Sequence, residues 1–168
     1  MRTLAFIRRW SLRALPLAAC ACASAAPAPP PGYRFLECGE PPDQGVAVAV
    51  VDPDGDVLSV RGHAFRLGRG AVIERKRFKM HDRRTRNVGV DIRPHGYRFT
   101  TAPGDSTTVT ISYARCGDLP VDYRPAIVEV RPGTTIPVGE PLPSTVNREA
   151  RTVTARIEHL SGYLIAGT

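Results

Sequence analysis

From Tyr33 onward the chain alternates apolar and polar residues in short runs, and nearly every run stops at glycine or proline. Val88, Val90 and Ile92 mark one such run, and Tyr97 and Phe99 another. Val109, Ile111 and Tyr113 form a third, with threonine and serine at the positions between them. "AIVEV", "RTVTARI" and "GYLIAG" continue the period of two toward the end of the sequence. A period of two puts one side of each run inward and the other outward, which predicts half-buried strands. After the first thirty residues no stretch shows the 3.6-residue period of an amphipathic helix. Short strands about ten residues apart, separated by turn residues, predict an all-β, antiparallel sandwich or barrel.

"VAVAVVDPDGDVLSV" is the most explicit stretch, with two apolar runs around an Asp-Pro-Asp-Gly-Asp turn. It predicts a β-hairpin. The three carboxylates of Asp52, Asp54 and Asp56 raise the alternative of a calcium loop. An EF-hand loop needs glycine at its sixth position and a bidentate glutamate at its twelfth. Here Gly55 is fourth and His63 twelfth, so the expectation is a tight turn and no metal.

The first residues follow another logic. "MRTLAFIRRWSLR" is positively charged, and "ALPLAACACASAA" is a short apolar stretch rich in small residues. The order is that of an export signal, and the stretch is shorter than the roughly 20 apolar residues a membrane helix needs. Two cleavage positions compete. Leu17-Ala18-Ala19-Cys20 resembles a lipobox, which makes residues 1–19 the signal and Cys20 the lipid-bearing first residue. Ala23-Ser24-Ala25 offers ordinary cleavage near residue 25 or 26 and a soluble secreted or periplasmic product. The expectation is export, with a lipid anchor preferred. It places the protein on the outside of the cytoplasmic membrane or on the outer membrane. Residues 20–32 follow as a Pro/Ala-rich tether, and residues 33–168 as one domain.

Export changes the meaning of the cysteines and of the charge. Cys38 and Cys116 are the only cysteines beyond the leader, and in an oxidising compartment two such residues predict one disulfide. Neither has a Cys or His at zinc-ligand spacing. The formal charge of +7 includes Arg2, Arg8, Arg9 and Arg13, and without these four the balance is 19 Lys+Arg against 16 Asp+Glu, or +3. No nucleic-acid partner is expected of an exported domain with so small an excess. Residues 74–86, "ERKRFKMHDRRTR", concentrate seven cations: Arg75, Lys76, Arg77, Lys79, Arg83, Arg84 and Arg86. In a strand, Arg75, Arg77 and Lys79 project from one face, and Lys76, Phe78 and Met80 from the other. The segment fits a charged strand at a sheet edge, or a patch for a polyanion or lipid headgroup.

"VAVAVVDPDGDVLSVRGHAFRLGRGAV", "VDIRPHGYRFTTAPGDSTTVTISYARC" and "RTVTARIEHLSGYLIAG" together resemble the ZU module of netrin receptors, zonula occludens proteins and ankyrins. The closest likeness is to secreted bacterial versions of that module. The resemblance rests on Gly70-Ala71-Val72, Pro94 to Phe99, Val109 to Tyr113 and His159 to Tyr163, and spans about 120 residues. Leu67 to Gly70 lacks the family's usual proline, and Leu160 stands where the family carries phenylalanine. The resemblance implies a single antiparallel β-sandwich.

It also implies one candidate reaction. Some members of the family cut themselves before the serine of a His-Phe-Ser motif. Here the Ser161 hydroxyl would attack the Leu160 carbonyl, with His159 as general base. No residue that would orient the imidazole is identifiable. His63, His81 and His95 are scattered, and no nucleophile elbow or phosphate-binding loop occurs. The expectation is a protein that is not an enzyme and needs no cofactor. It would bind an unidentified protein or envelope component, with self-cleavage between Leu160 and Ser161 and polyanion binding by residues 74–86 as alternatives.

Overall fold

The computed structural model describes residues 32–100 and 107–168. The expected signal (residues 1–19), Cys20 and nearly all of the tether 20–32 lie outside them. The described chain forms eleven strands: β1 Arg34–Phe35, β2 Val46–Val51, β3 Asp56–Val60, β4 His63–Leu67, β5 Lys76–Asp82, β6 Gly89–Arg93, β7 Thr108–Ser112, β8 Pro125–Val130, β9 Ser144–Asn147, β10 Thr152–Arg156 and β11 Gly162–Gly167. A 3-10 turn at Ala114–Cys116 follows β7.

The strands make two antiparallel sheets that face each other as a sandwich, as the alternation predicts. One sheet runs β3-β4-β7-β10-β9. In the other, β11 pairs with β8 along one edge and with β6 and β1 along the opposite edge, and β5 and β2 continue outward from β6. Phe65, Phe78, Val90, Ile92, Val109, Ile111, Ile127, Val153, Tyr163 and Ile165 fill the space between the sheets. Phe65, Phe78, Tyr97 and Phe99 meet there at ring separations of 5.6–6.0 Å. A second, smaller cluster covers the outside of the larger sheet, where Tyr33 and Phe35 lie over Val128, Val130, Leu164 and Ala166. Every residue of β11 is therefore buried, which explains why "GYLIAG" is a continuous apolar run.

Three local expectations are corrected. β2 and β3 do not form a hairpin, because β2 pairs with β5 and β3 with β4, in different sheets. The turn itself forms, with Gly55 at φ 86° and its N–H donating to the Asp52 carbonyl at 3.1 Å, but it arches from sheet to sheet. Turn residues permit a reversal without choosing the pairing. The true hairpin is β3–β4, closed by Arg61 and Gly62 at φ 51° and 80°, a two-residue turn with both centres left-handed. Tyr97 and Phe99 belong to the core, but their segment forms only an isolated bridge, Arg98 to His159. Gly96, with φ at 73°, turns the backbone just before them. Finally, β5 is not an edge strand: it lies between β2 and β6.

Candidate functional site

The closing motif sits where the chain crosses from β10 to β11. Leu160 and Ser161 are buried, and their backbone is tied on several sides. The Leu160 N–H donates to the Tyr97 carbonyl at 2.9 Å, and the Leu160 carbonyl accepts from Gly96 N–H at 2.7 Å. The Ser161 carbonyl accepts from Ile92 N–H at 3.0 Å. The Ser161 hydroxyl donates to the Val130 carbonyl on β8 at 2.9 Å. The His159 imidazole turns to another partner, with Nε2 2.8 Å from Glu129 Oε1. A carboxylate only accepts, so Nε2 carries the proton in this pair.

Glu129 is the orienting residue that the sequence did not reveal. It lies thirty positions from His159, and only the pairing of Tyr163 with Glu129 in β11–β8 brings it close. The Tyr163 hydroxyl donates to the His159 carbonyl. Burial first, and then the nearby Glu129 carboxylate, push the Tyr163 hydroxyl pKa far above its usual value, so it stays a donor at physiological pH. His159, Glu129 and Tyr163 line a largely apolar cleft of about 380 Å³ together with Leu142, Pro143 and Ile157. The elements of a base and its orienter are thus present. The hydroxyl, however, is engaged with Val130 and not with the imidazole.

A second constellation was invisible in the sequence because its members are 19 and 30 residues apart. His63, Asp82 and Ser112, all buried, come together where β4, β5 and β7 meet. His63 Nε2 is 3.3 Å from Asp82 Oδ1, and Nδ1 accepts from the Ser112 main-chain N–H at 3.1 Å. The Ser112 hydroxyl instead accepts from Ala114 N–H at 3.3 Å. With its basic nitrogen occupied by an amide, this imidazole braces the two sheets and does not activate the serine. Arg61 lies beside it, 3.7 Å from Asp82 and paired with Asp43. Among the described residues no three His, Cys, Asp or Glu side chains converge as metal ligands.

The cationic segment is divided by the strand geometry. Phe78 and Met80 point into the core, as expected, and Lys76 on the same side stands 5.7 Å from the centre of the Tyr97 ring. Arg83 is buried on the outer face, where it donates to the Thr134 carbonyl at 2.6 Å and to Asp91 at 3.0 Å. Gly162 has no side chain because a Cβ there would fall 2.7 Å from Asp91 Oδ1 and 2.9 Å from Arg83 Nη2. Arg86 lies 3.7 Å from Glu37, and Arg75 and Arg84 are exposed. Only Arg77 and Lys79 remain as neighbours on the open outer face, where Arg93 of β6, directly opposite Lys79, joins them. One segment of seven cations is therefore not one patch.

Cys38 and Cys116 are bonded, with Cα atoms 5.2 Å apart, as their isolation in the sequence predicts. No protein-family model matches this chain, and no curated protein matches it.

Proposed function

We propose that this protein is a non-catalytic, exported interaction module, a ZU-like sandwich held at an envelope surface through a lipid on Cys20. The observation that carries the non-catalytic part is the engagement of the Ser161 hydroxyl with Val130 and of His159 with Glu129. Attack on Leu160 would require the hydroxyl to leave the Val130 carbonyl and hand its proton to an imidazole that faces elsewhere. The ZU-like part is supported by the placement of the family-like motifs. Pro94 to Phe99 and His159 to Tyr163 meet through the Leu160–Tyr97 and Gly96–Leu160 hydrogen bonds.

Intact mass spectrometry of freshly purified protein tests this. We expect the chain to retain its last eight residues, Ser161 to Thr168, and Ser161→Ala to leave the mass pattern unchanged apart from the substitution. The lost hydroxyl leaves a buried carbonyl short of one donor, so this variant should be less stable by about 1–2 kcal/mol. Loss of the eight-residue peptide from the wild type but not from Ser161→Ala would replace this proposal with self-cleavage.

The anchor has its own test. Wild-type protein should fractionate with membranes, and Cys20→Ser should move it to the soluble fraction. A wild type that is already soluble and begins near Ala26 would remove the lipid from the proposal.

A further inference from the structure

β2 turns Ala47, Ala49 and Val51 toward the core and Val46, Val48 and Val50 outward. Ala47 and Ala49 face the core beside Met80 and Phe78, whose bulk fills the space that the alanines leave. Val46, Val48 and Val50 project from the outer face and are 45%, 46% and 57% exposed. Cross-strand partners share a face, so this row lies against His81, Lys79 and Arg77 of β5. Arg93 of β6 follows beyond Lys79. The outer face thus carries three exposed valines bordered by three cations. His81 lies in the same row, and burial first, then Lys79 and Arg93, lower its pKa. Asp91, opposite His81, is neutralised by Arg83.

We propose that this face of β2, β5 and β6 docks onto an anionic lipid bilayer. A row of apolar side chains set among arginine and lysine matches an interface in which the valines enter the headgroup boundary and the cations meet phosphates. The point where the chain enters the fold agrees with this. Tyr33 and Phe35, next to the start of the described residues, lie on the outside of this same sheet, the side that bears the patch. Asp52, Asp54 and Asp56 follow the end of the valine row, and their repulsion keeps the association weak and reversible. A lipid anchor would supply the local concentration that makes weak docking effective. The proposal thus deepens the anchored reading, but its test does not depend on that reading.

Residues 32–168 contain both sheets, the whole described core and the disulfide, and this fragment carries no anchor. It should sediment with mixed phosphatidylcholine–phosphatidylglycerol vesicles at low salt, and not with phosphatidylcholine alone. The association should fade as salt rises. Each cation near such a surface contributes about fivefold, so the combined Arg77→Glu, Lys79→Glu, Arg93→Glu variant should bind at least about a hundredfold more weakly. Val48→Ser should weaken binding about threefold. Val57→Ser, at a valine 40% exposed on the opposite sheet, should change nothing.

Equal binding to both vesicle types, no binding, or an unaffected triple variant would overturn the proposal. So would capture on heparin without vesicle binding, which would mark a general polyanion site. A Val48→Ser effect confined to self-association would assign the face to a second copy of the chain. Failure of the anchor shows separately, as an unchanged distribution of Cys20→Ser between membrane and soluble fractions.

Discussion

Gly89→Ala is expected to destabilise the protein on the order of 3 kcal/mol or more, among the largest effects of any single methyl group added to this fold. A Cβ at Gly89 would collide with the Tyr163 carbonyl oxygen and come within 2.5 Å of Leu164 Cδ2 and 3.0 Å of Leu164 Cα. Two of these atoms are backbone, so no rotamer change relieves the clash. β6 must move away from β11, which breaks the register Gly162–Asp91, Tyr163–Val90 and Leu164–Gly89. Val90, Tyr163 and Leu164, carried by that register, are fully buried, and separation opens both the main core and the outer cluster. In urea the midpoint should fall by about 1.5 M. Gly39→Ala is the control: nothing lies within 4 Å of the added atom, and the change should stay within about 0.5 kcal/mol. A Gly89→Ala midpoint equal to that of Gly39→Ala would show that the two strands are not packed as closely as described.

The same strand pair shows what the sequence could reveal. Alternation located Val88, Val90 and Ile92 at β6 and Val109, Ile111 and Tyr113 at β7, because each of those strands has one face in the core, whereas β8 buries both faces, with Ile127 in the main core and Val128 and Val130 in the outer cluster. It also assigned the faces of β5 correctly, since Phe78 and Met80 are the only large apolar residues there. Pairing was another matter. The Asp-Pro-Asp-Gly turn is as good for an arch between sheets as for a hairpin, and nothing within fifteen residues distinguishes them. What decides is the fit of Ala47 and Ala49 beside Met80 and Phe78, thirty residues away. In "VAVAVV" Ala47 and Ala49 face inward with Val51, and Val46, Val48 and Val50 outward, because Met80 and Phe78 of the neighbouring strand already fill the volume beside the alanines.

The candidate site followed the same division. His159 and Ser161 stand out in the sequence because only Leu160 separates them, but their partners, Glu129 and the Val130 carbonyl, are supplied by β8. The His63–Asp82–Ser112 brace joins three strands and left no local trace. Polar residues reveal their type in a sequence, but the direction of each hydrogen bond comes from the pairing of strands. Here that direction separates a structural imidazole from a catalytic one.

Removing the disulfide is the second large effect expected. Cys38 lies just after β1 in the larger sheet, and Cys116 ends the turn after β7 in the smaller one, so the bond ties the two sheets together. It encloses 78 sequence positions, including β2 to β7, and the chain-entropy model assigns such a loop about 4 kcal/mol. A domain of this size has on the order of 5–15 kcal/mol of stability, so the loss is a large share of it. The native geometry has other support at the same place. The Arg115 guanidinium donates to the Gly39 carbonyl at 2.9 Å and to the Thr85 and Asn87 carbonyls at 3.1 and 2.9 Å, drawing the same segments together. The effect should therefore fall mainly on the unfolded chain, which gains freedom when the link is cut. Cys38→Ala with Cys116→Ala should fold to the same sandwich but melt about 10–15 °C lower. Its urea m-value should rise, because the unlinked unfolded chain exposes more surface. A melting point within about 3 °C of the parent, with an unchanged m-value, would mean that the unfolded chain is held compact by something other than this bond.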